Sequence, residues 1–347
     1  MTQQKRTLIV GAGGFIGGFI AARSLEFGHE TWVAVRQSTS RRYLTDPRLH
    51  FVVLDYDDEA QMTEALTSAL PAGERWDWII YNLGATKCAN FADFNRINFG
   101  YLRTFTGILT AHGLTPERFL YMSSLSALGP AAEDGSYAPL DSKTIPQPNT
   151  RYGLSKMKAE TLLRTLPDFP WIIFRPTGVY GPHEKDYLMM IQSIDSHWDF
   201  GVGYRRQMLT FIYVEDLVDA MFAALESPAA LHGTYIISEN RAYTQAEFRR
   251  IVAEELGGKS VIPVRLPLWA VYAASVVAEK WGLIQCKPST LNRDKFRIMR
   301  QRNWNCDISD AQRDFGFTPR FDLRTGLKAT IAQYQADKQA KRNKKKQ

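Results

Sequence analysis

The stretch Thr7-Leu-Ile-Val-Gly11-Ala-Gly-Gly14-Phe-Ile-Gly17-Gly decides the fold of this chain. The apolar run before Gly11 is typical of a buried strand, and the glycines end it abruptly. An amphipathic run over 15–27 then predicts a helix, which closes at Gly28. Glycines at 11, 14 and 17 permit a tight turn, close approach of a pyrophosphate and close helix–strand packing. Because a helix N-terminus offers unpaired N–H groups to an anion, the stretch predicts a dinucleotide-binding unit.

Strand-like and helix-like runs alternate along the first half of the chain. Strands are predicted at 7–10, 31–35, 51–54, 78–82, 118–122 and 171–174, and helices near 15–27, 59–70, 94–112 and 152–165. This alternation predicts an α/β fold with a doubly wound parallel sheet of the Rossmann type. The segment 211–240 is predicted to rejoin the core of the sheet domain, with a strand from residue 211, a helix at 215–226 and a second strand at 234–237.

The second half of the chain reads differently. The segment 183–206 has no clear period and is interpreted as a loop-rich region facing the substrate. Helices are predicted at 244–256, 267–281 and 323–336. We therefore predict a dinucleotide-binding domain (1–176 and 207–240), a smaller, mainly helical substrate lobe (177–206 and 241–336) and a basic disordered tail (337–347).

A second motif, Tyr152-Gly-Leu-Ser-Lys156, places a phenol and an ammonium four residues apart at the start of a predicted helix. Positions i and i+4 share one helical face, so Lys156 is expected close to the Tyr152 hydroxyl. A neighbouring cation favours the phenolate, and we expect it to lower the pKa of Tyr152 toward the range useful for proton transfer.

Together these motifs resemble the extended short-chain dehydrogenases/reductases, the NAD-dependent epimerase/dehydratase family. The resemblance covers nearly the whole chain. Further blocks in family order are Asp55 after a strand, Asn82-Leu-Gly-Ala85, Tyr121-Met-Ser-Ser124-Leu-Ser-Ala-Leu-Gly129, Phe174-Arg-Pro-Thr-Gly-Val-Tyr-Gly-Pro182 and Phe211-Ile-Tyr-Val-Glu-Asp-Leu-Val-Asp-Ala220.

The resemblance implies roles for individual residues. Ser124 would polarise a substrate carbonyl, Tyr152 would transfer the proton, Lys156 would tune Tyr152 and hold the nicotinamide ribose, and Asn98 would support the lysine through water. The implied cofactor contacts are Gly11, Gly14, Phe15, Ile16, Gly17, Arg36, Arg41, Asp55, Tyr56, Leu83, Gly84, Ala85, Tyr152, Lys156, Pro176 and Thr177.

The residue that ends the second strand bears on the choice of cofactor. An acidic side chain there would bind the ribose 2′-hydroxyl of NAD. This chain has Arg36 instead, followed by Arg41 and Arg42. Since a guanidinium can hold a 2′-phosphate through paired hydrogen bonds, NADP(H) is predicted, with NAD as the alternative.

Two positions bear on the type of reaction. Dehydratases of the family carry Thr-Asp-Glu where this chain has Ser124-Leu125-Ser126, and Leu125 supplies neither acid nor base for elimination. Nucleotide-sugar enzymes usually carry an arginine where this chain has Leu209.

We therefore predict a hydroxyl/keto oxidoreductase acting on a small hydrophobic substrate, similar to the 3β-hydroxysteroid dehydrogenase-like or dihydroflavonol reductase-like members. A nucleotide-sugar 4-epimerase or 4-reductase, with Arg205 or Arg206 as the anchor, is the alternative enzyme. A non-catalytic NADP-binding sensor is the alternative of another class. The substrate and the reaction direction stay open.

Composition constrains the partners. Three cysteines (Cys88, Cys286 and Cys306) without C-x-x-C spacing predict neither a disulfide framework nor a zinc site, and no histidine spacing predicts a metal. No signal peptide is recognised, so a cytoplasmic protein is expected. The net charge of +7 is partly concentrated in the tail, which has no aromatic residues for nucleic-acid stacking.

The apolar run over 266–283 is too short to span a membrane, which takes about 20 apolar residues. It is interpreted as a core or lid helix over the substrate pocket, with a helix resting on a membrane as the alternative. Weak attraction of the basic tail to an anionic membrane is the second such alternative. The family resemblance implies a homodimer through the helices near 94–112 and 152–165.

Overall fold

A computed structural model describes residues 4–88, 90–285, 289 and 291–344. In chain order, the strands of this part are β1 (Arg6–Val10), β2 (Glu30–Val35), β3 (His50–Val53), β4 (Trp78–Tyr81), β5 (Arg118–Met122), β6 (Trp171–Pro176), β7 (Gly178–Tyr180), β8 (Trp198–Val202), β9 (Met208–Tyr213), β10 (Thr234–Ile237), β11 (Ala242–Thr244) and β12 (Ile262–Leu266).

The α-helices of the same part are α1 (Phe15–Glu26), α2 (Glu59–Ser68), α3 (Phe91–Asn95), α4 (Tyr101–Ala111), α5 (Arg151–Thr165), α6 (Asp186–Asp195), α7 (Val214–Glu226), α8 (Gln245–Glu255), α9 (Leu268–Ile284), α10 (Arg293–Arg300), α11 (Ser309–Phe315) and α12 (Leu323–Lys344). A π-helical turn (Arg96–Gly100) joins α3 to α4, and a short 3₁₀ turn (Leu125–Ala127) follows β5.

Seven strands form the main sheet in the order β3-β2-β1-β4-β5-β6-β10, and every neighbouring pair is parallel. One apolar cluster packs α1 and α7 against one face, and a second packs α2, α4 and α5 against the other. Strands covered on both faces read as continuous apolar runs, as β4 does. The predicted doubly wound α/β fold with a helical C-terminal region is confirmed.

The smaller part of the molecule holds two further sheets. Strand β9 pairs with β7 and β11, and β8 pairs in parallel with β12. The loop-rich interpretation of 183–206 is wrong for this segment, which contains α6 and β8. Ile191 and Ile194, three residues apart, bury one side of α6 in a third apolar cluster. Strand β9 lies in the predicted dinucleotide-binding domain, whereas its partners β7 and β11 lie in the predicted substrate lobe, and that division remains a prediction.

The basic tail differs from its prediction as well. Helix α12 continues to Lys344, although disorder was expected from residue 337. Lys338 forms an ion pair with Asp195, and Tyr334 donates a hydrogen bond of 2.8 Å to the same carboxylate, so this turn is anchored on α6. Alanine, glutamine and lysine are also strong helix formers. Residues 345–347 and Cys286 lie outside the described part, and the homodimer remains a prediction.

Candidate active site

The glycine-rich turn connects β1 to α1 at the carboxyl edge of the main sheet. Gly11 has φ +84°, and a Cβ there would lie 2.9 Å from the Leu83 nitrogen. A Cβ at Gly17 would overlap the Gly11 carbonyl oxygen, so this glycine lets α1 pack directly on the turn. Gly14 precedes α1 and provides no side-chain cap, which leaves the first N–H groups of the helix, including those of Phe15 and Ile16, to other partners.

The loop after β2 lies against this turn. A Cβ at Gly13 would overlap the Thr39 methyl group, and the Thr39 hydroxyl accepts a hydrogen bond of 3.0 Å from the Arg36 nitrogen. Arg36 is exposed at the end of β2, and the Arg41 guanidinium lies 4.4 Å from the centre of the Phe51 ring. The structure therefore brings the two predicted arginines to the side of the glycine turn.

Other predicted cofactor contacts follow neighbouring strands. Exposed Asp55 follows β3, and its carboxylate accepts from the Asp57 nitrogen at 3.0 Å. The Tyr56 ring, in contrast, is buried against Tyr101, and burial raises the pKa of its phenol. Pro176 ends β6, and the Thr177 nitrogen donates to the Ile237 carbonyl at 3.1 Å.

Asn98 connects the loop after β4 to the helix α5. It is fully buried in the π-helical turn, where its Oδ1 accepts from the Ala85 nitrogen at 2.7 Å and its Nδ2 donates to the Ala85 carbonyl at 3.0 Å. The Nδ2 also donates to the Ser155 hydroxyl at 2.9 Å, which in turn donates to the Tyr152 carbonyl at 2.7 Å. Asn98 thus holds the Leu83–Gly84–Ala85 loop against the main chain of Tyr152.

Ser124 and Tyr152 come together where the 3₁₀ turn packs on α5. A Cβ at Gly153 would overlap the Ser126 carbonyl oxygen, so only glycine allows this approach. The Ser124 Oγ accepts from the Ser126 nitrogen at 3.2 Å, which leaves the hydroxyl hydrogen free to donate elsewhere. Burial raises the pKa of the Tyr152 phenol, and the neighbouring Ser124 hydroxyl lowers it by a smaller amount.

Lys156 lies four residues after Tyr152, on the same face of α5. Its Nζ donates to the Met122 carbonyl at 2.7 Å and lies 4.9 Å from the centre of the Tyr121 ring. Burial lowers the pKa of the Lys156 ammonium to about 7. The expected lowering of the Tyr152 pKa by Lys156 is therefore wrong for this structure, because the ammonium bonds a carbonyl and desolvation dominates both groups.

A buried ion pair that the sequence patterns did not predict supports the face of α5 that carries Tyr152 and Lys156. The Glu160 carboxylate accepts from the Arg175 guanidinium at 2.9 and 2.5 Å and from the Ser123 hydroxyl at 2.6 Å. These contacts tie α5 to β6 and to the end of β5, next to Ser124. Glu160 follows Lys156 by four residues, so the helical spacing that singled out Tyr152 also indicated it.

Two carboxylates of the C-terminal part hold the start of α5, and no signal in the sequence indicated either. Asp294 accepts from the Arg151 nitrogen at 2.8 Å and also from the Tyr152 nitrogen. Glu279 accepts from the Arg151 guanidinium at 3.3 Å and from the Arg293 guanidinium at 3.0 Å. A negative charge at a helix N-terminus is favourable, so α9 and α10 position the turn that carries Tyr152.

The residues at this edge fit a bound dinucleotide. Gly11, Gly14 and Gly17 form a turn without side chains at the start of α1, which suits a pyrophosphate. Gly84 keeps the neighbouring loop clear, because a Cβ there would lie 2.9 Å from the Lys156 Nζ. Ligands of open parallel sheets bind at this carboxyl edge, and the cofactor contacts named from the sequence remain predictions.

Comparisons with known proteins agree with this geometry. The sequence profile of the NAD-dependent epimerase/dehydratase family matches residues 7–238. A ceramide reductase of Caulobacter vibrioides is 24% identical over 94% of this chain and 94% of its own, and the mitochondrial L-threonine 3-dehydrogenase of Sus scrofa is 24% identical over 92% and 80%. A UDP-glucose 4-epimerase of Thermotoga maritima superposes with a TM-score of 0.76 at 19% identity, covering 96% of this chain and 99% of that one.

Proposed function

This chain belongs to the NAD-dependent epimerase/dehydratase family of extended short-chain dehydrogenases/reductases, and from that premise we propose that it interconverts a hydroxyl and a keto group on a hydrophobic substrate. It is an NAD(P)-dependent oxidoreductase, and within that class we assign it NADP(H). The observation that carries the proposal is a chain of close approaches. The turn that carries Ser124 packs on α5 at Gly153, next to Tyr152, and Lys156 lies against Gly84, whose neighbour Leu83 lies against Gly11 of the glycine turn.

Ser124, Tyr152 and Lys156 have different roles in the proposed reaction. A bound nicotinamide would supply or accept the hydride at the carbon of the reacting group. In the reducing direction, Ser124 donates its free hydroxyl hydrogen to the carbonyl oxygen, which stabilises the charge that develops there. Tyr152 delivers its proton to the same oxygen, and we assign the return of a proton to Lys156, four residues further along α5 on the same face.

Three observations support NADP(H) and a hydrophobic substrate. Arg36 and Arg41 lie beside the glycine turn, where a 2′-phosphate would need cations. A relative similar along nearly its whole length is named a ceramide reductase, and ceramide is a lipid. Leu209 replaces the cation expected of nucleotide-sugar enzymes and packs against the third apolar cluster. We infer a keto or hydroxy lipid as the substrate class.

The test is a substrate screen with the purified protein. Oxidation of NADPH and of NADH would be followed with panels of long-chain keto lipids, steroids, β-keto acyl compounds and UDP-sugars. We expect turnover of a keto lipid, and tighter binding of NADPH than of NADH. Turnover confined to UDP-sugars would identify the 4-epimerase or 4-reductase instead. Equal or tighter binding of NADH would contradict the cofactor assignment.

A further inference from the structure

The two-stranded sheet of β8 and β12 has its apolar face turned outward. In the parallel register, Trp198, Phe200 and Val202 lie beside Ile262, Val264 and Leu266, so the six side chains share one face. Phe200 is 56% exposed, and its ring stacks on that of Trp198 with centroids 6.3 Å apart. No other element of the described chain covers this face enough to bury Trp198, Phe200, Ile262 or Leu266.

The opposite face of the same sheet is polar and buried. The Asp199 carboxylate, whose side chain is 4% exposed, accepts from Arg249 at 3.1 Å and from Arg265 at 3.3 Å. Gln245 of α8 donates to it at 3.1 Å. The usual arrangement, with apolar side chains inside and charges outside, is therefore reversed in this sheet.

Helix α9 repeats this reversal. Its outward side carries Trp269, Tyr272, Val277 and Trp281, and the two indoles are 75% and 62% exposed. Its inward side carries buried Val271 and Ser275 together with Glu279, the carboxylate bound by Arg151 and Arg293. Val271 and Tyr272, whose ring lies 5.4 Å from that of Phe296, pack against the protein, but Trp269, Val277 and Trp281 stay mostly exposed and are available to another partner.

These two faces are continuous. Strand β12 ends at Leu266, and α9 starts two residues later. The Gly203 nitrogen, directly after β8, donates to the Leu266 carbonyl at 2.8 Å, and a Cβ at Gly203 would lie 3.5 Å from the Leu268 side chain. We call the combined surface the apolar platform: Trp198, Phe200, Ile262, Leu266, Leu268, Trp269, Tyr272, Val277 and Trp281.

Cations surround the apolar platform. Exposed Arg205 and Arg206 follow β8, and exposed Lys280 lies on α9 beside Trp281. At the other end of the apolar platform, Asp195 lies three residues before Trp198 and forms an ion pair with Lys338 of α12. Helix α12 then continues with exposed Lys341 and Arg342. The protein carries a net charge of +7, so anionic groups would be attracted to this rim.

We propose that the apolar platform rests on the surface of an anionic lipid bilayer. Interfacial helices bury an apolar face with tryptophan in the headgroup region and place lysine or arginine toward the lipid phosphates. No helix in the described part of the chain is long and apolar enough to cross a bilayer, so the contact is peripheral. The membrane contact would involve only exposed faces and charges, and it does not depend on the proposed reaction.

The test is co-sedimentation with vesicles, without cofactor or substrate. One vesicle type contains phosphatidylcholine and phosphatidylglycerol, and the other contains phosphatidylcholine alone. We expect the protein to bind the anionic vesicles. Trp269→Ser/Trp281→Ser should lower the partition coefficient by about tenfold or more, because two indoles no longer leave water. Lys341→Glu/Arg342→Glu should weaken binding to the anionic vesicles about tenfold, since each basic residue near the surface contributes to attraction.

Matched variants separate these effects from general ones. Phe27→Ser/Ile145→Ser removes exposed apolar side chains outside the apolar platform, and Arg48→Glu/Lys143→Glu reverses charges outside its rim. Both should bind like the unmodified protein, and circular dichroism should show all variants folded. An unmodified protein that stays in the supernatant with both vesicle types would overturn the proposal. A folded Trp269→Ser/Trp281→Ser variant that still binds the vesicles fully would also overturn it. If the same substitutions only dissociate a dimer, the surface is a contact with a second copy of the chain.

Discussion

The catalytic edge of the main sheet and the apolar platform are built on opposite principles. At the catalytic edge, an apolar core covers both faces of the sheet, and polar groups emerge only where the strands end. In β8, β12 and α9, carboxylates and guanidinium groups lie inside while tryptophan and phenylalanine face outward. The first arrangement creates a binding site by folding, whereas the second keeps an apolar surface available after folding is complete.

The two regions meet at the first turn of α5. Arg151 bonds Glu279 of α9 and Asp294 of α10, and the next residue is Tyr152. The lobe that carries the apolar platform is therefore in direct polar contact with the turn that carries the candidate proton donor. Substitutions on the two sides of this contact should have different sizes and different signatures.

The largest effect is expected from Tyr152→Phe, which removes the proton donor and leaves the ring packed near Phe94. Turnover should fall by about 10²–10⁴-fold, the usual contribution of general acid catalysis. Binding of NADPH, measured by fluorescence titration, should change little because the glycine turn is untouched. Activity above a few per cent of the unmodified enzyme would remove Tyr152 from its assigned role.

A smaller effect is expected from Asp294→Ala, on the lobe side of the contact. The variant leaves the Arg151 and Tyr152 N–H groups without their acceptor, so the free energy of unfolding should fall by about 1–2 kcal/mol. Turnover should fall as well, with the affinity for NADPH unchanged, and Asp294→Asn should restore part of it.

The matched control for this prediction is Asp322→Ala. Asp322 accepts from the Thr325 nitrogen at 2.8 Å in the same way, but at the start of α12. It should lose comparable stability and keep its turnover. If both variants keep full turnover per folded molecule, Asp294 has only a structural role.

The smallest effect is expected on the pH dependence of stability, through Glu279, the carboxylate that holds α9 in place. The Arg293 guanidinium lowers the pKa of Glu279 from 4.5 to about 2. The unfolded chain therefore takes up the proton first as pH falls, and the stabilisation by Glu279 is complete above pH 4.5 and is lost toward pH 2. Glu279→Gln should reduce stability by about 1 kcal/mol at pH 6 and by clearly less at pH 3.

Urea unfolding at a series of pH values measures this difference, with Glu64→Gln, an exposed carboxyl on α2, as the control. The control should show no such pH-dependent difference from the unmodified protein. A Glu279→Gln penalty that stays constant from pH 6 to pH 3 would mean that the Arg293 contact does not bias the carboxyl.

Short-range patterns predicted much of this molecule. Continuous apolar runs and the glycine spacing predicted the parallel sheet, and the four-residue spacing predicted that Tyr152 and Lys156 share a face of α5. Patterns failed where the partner is distant in the chain. The segment of α6 forms a helix because its apolar side is buried in the third apolar cluster. The last turns of α12 are held by Asp195, which lies 143 residues before Lys338 in the chain.

The candidate site shows the same limit. The pKa of Tyr152 was expected to fall because Lys156 is near in sequence, but burial, a property of the whole fold, raises it. Glu160 was recognisable from helical spacing, whereas its partner Arg175 required knowledge that β6 lies behind α5. Asp294 follows Arg151 by 143 residues, and no periodicity connects them.

By itself, the amino-acid sequence determined the Rossmann sheet, the glycine turn and the residue types available for chemistry, because these depend on contacts between near neighbours in the chain. Only the tertiary structure decided which charges lie inside the C-terminal lobe, which aromatic side chains stay exposed and what protonation state burial favours for Tyr152 and Lys156. The physical reason is that desolvation depends on every group that surrounds a side chain, and most of those groups come from distant parts of the chain.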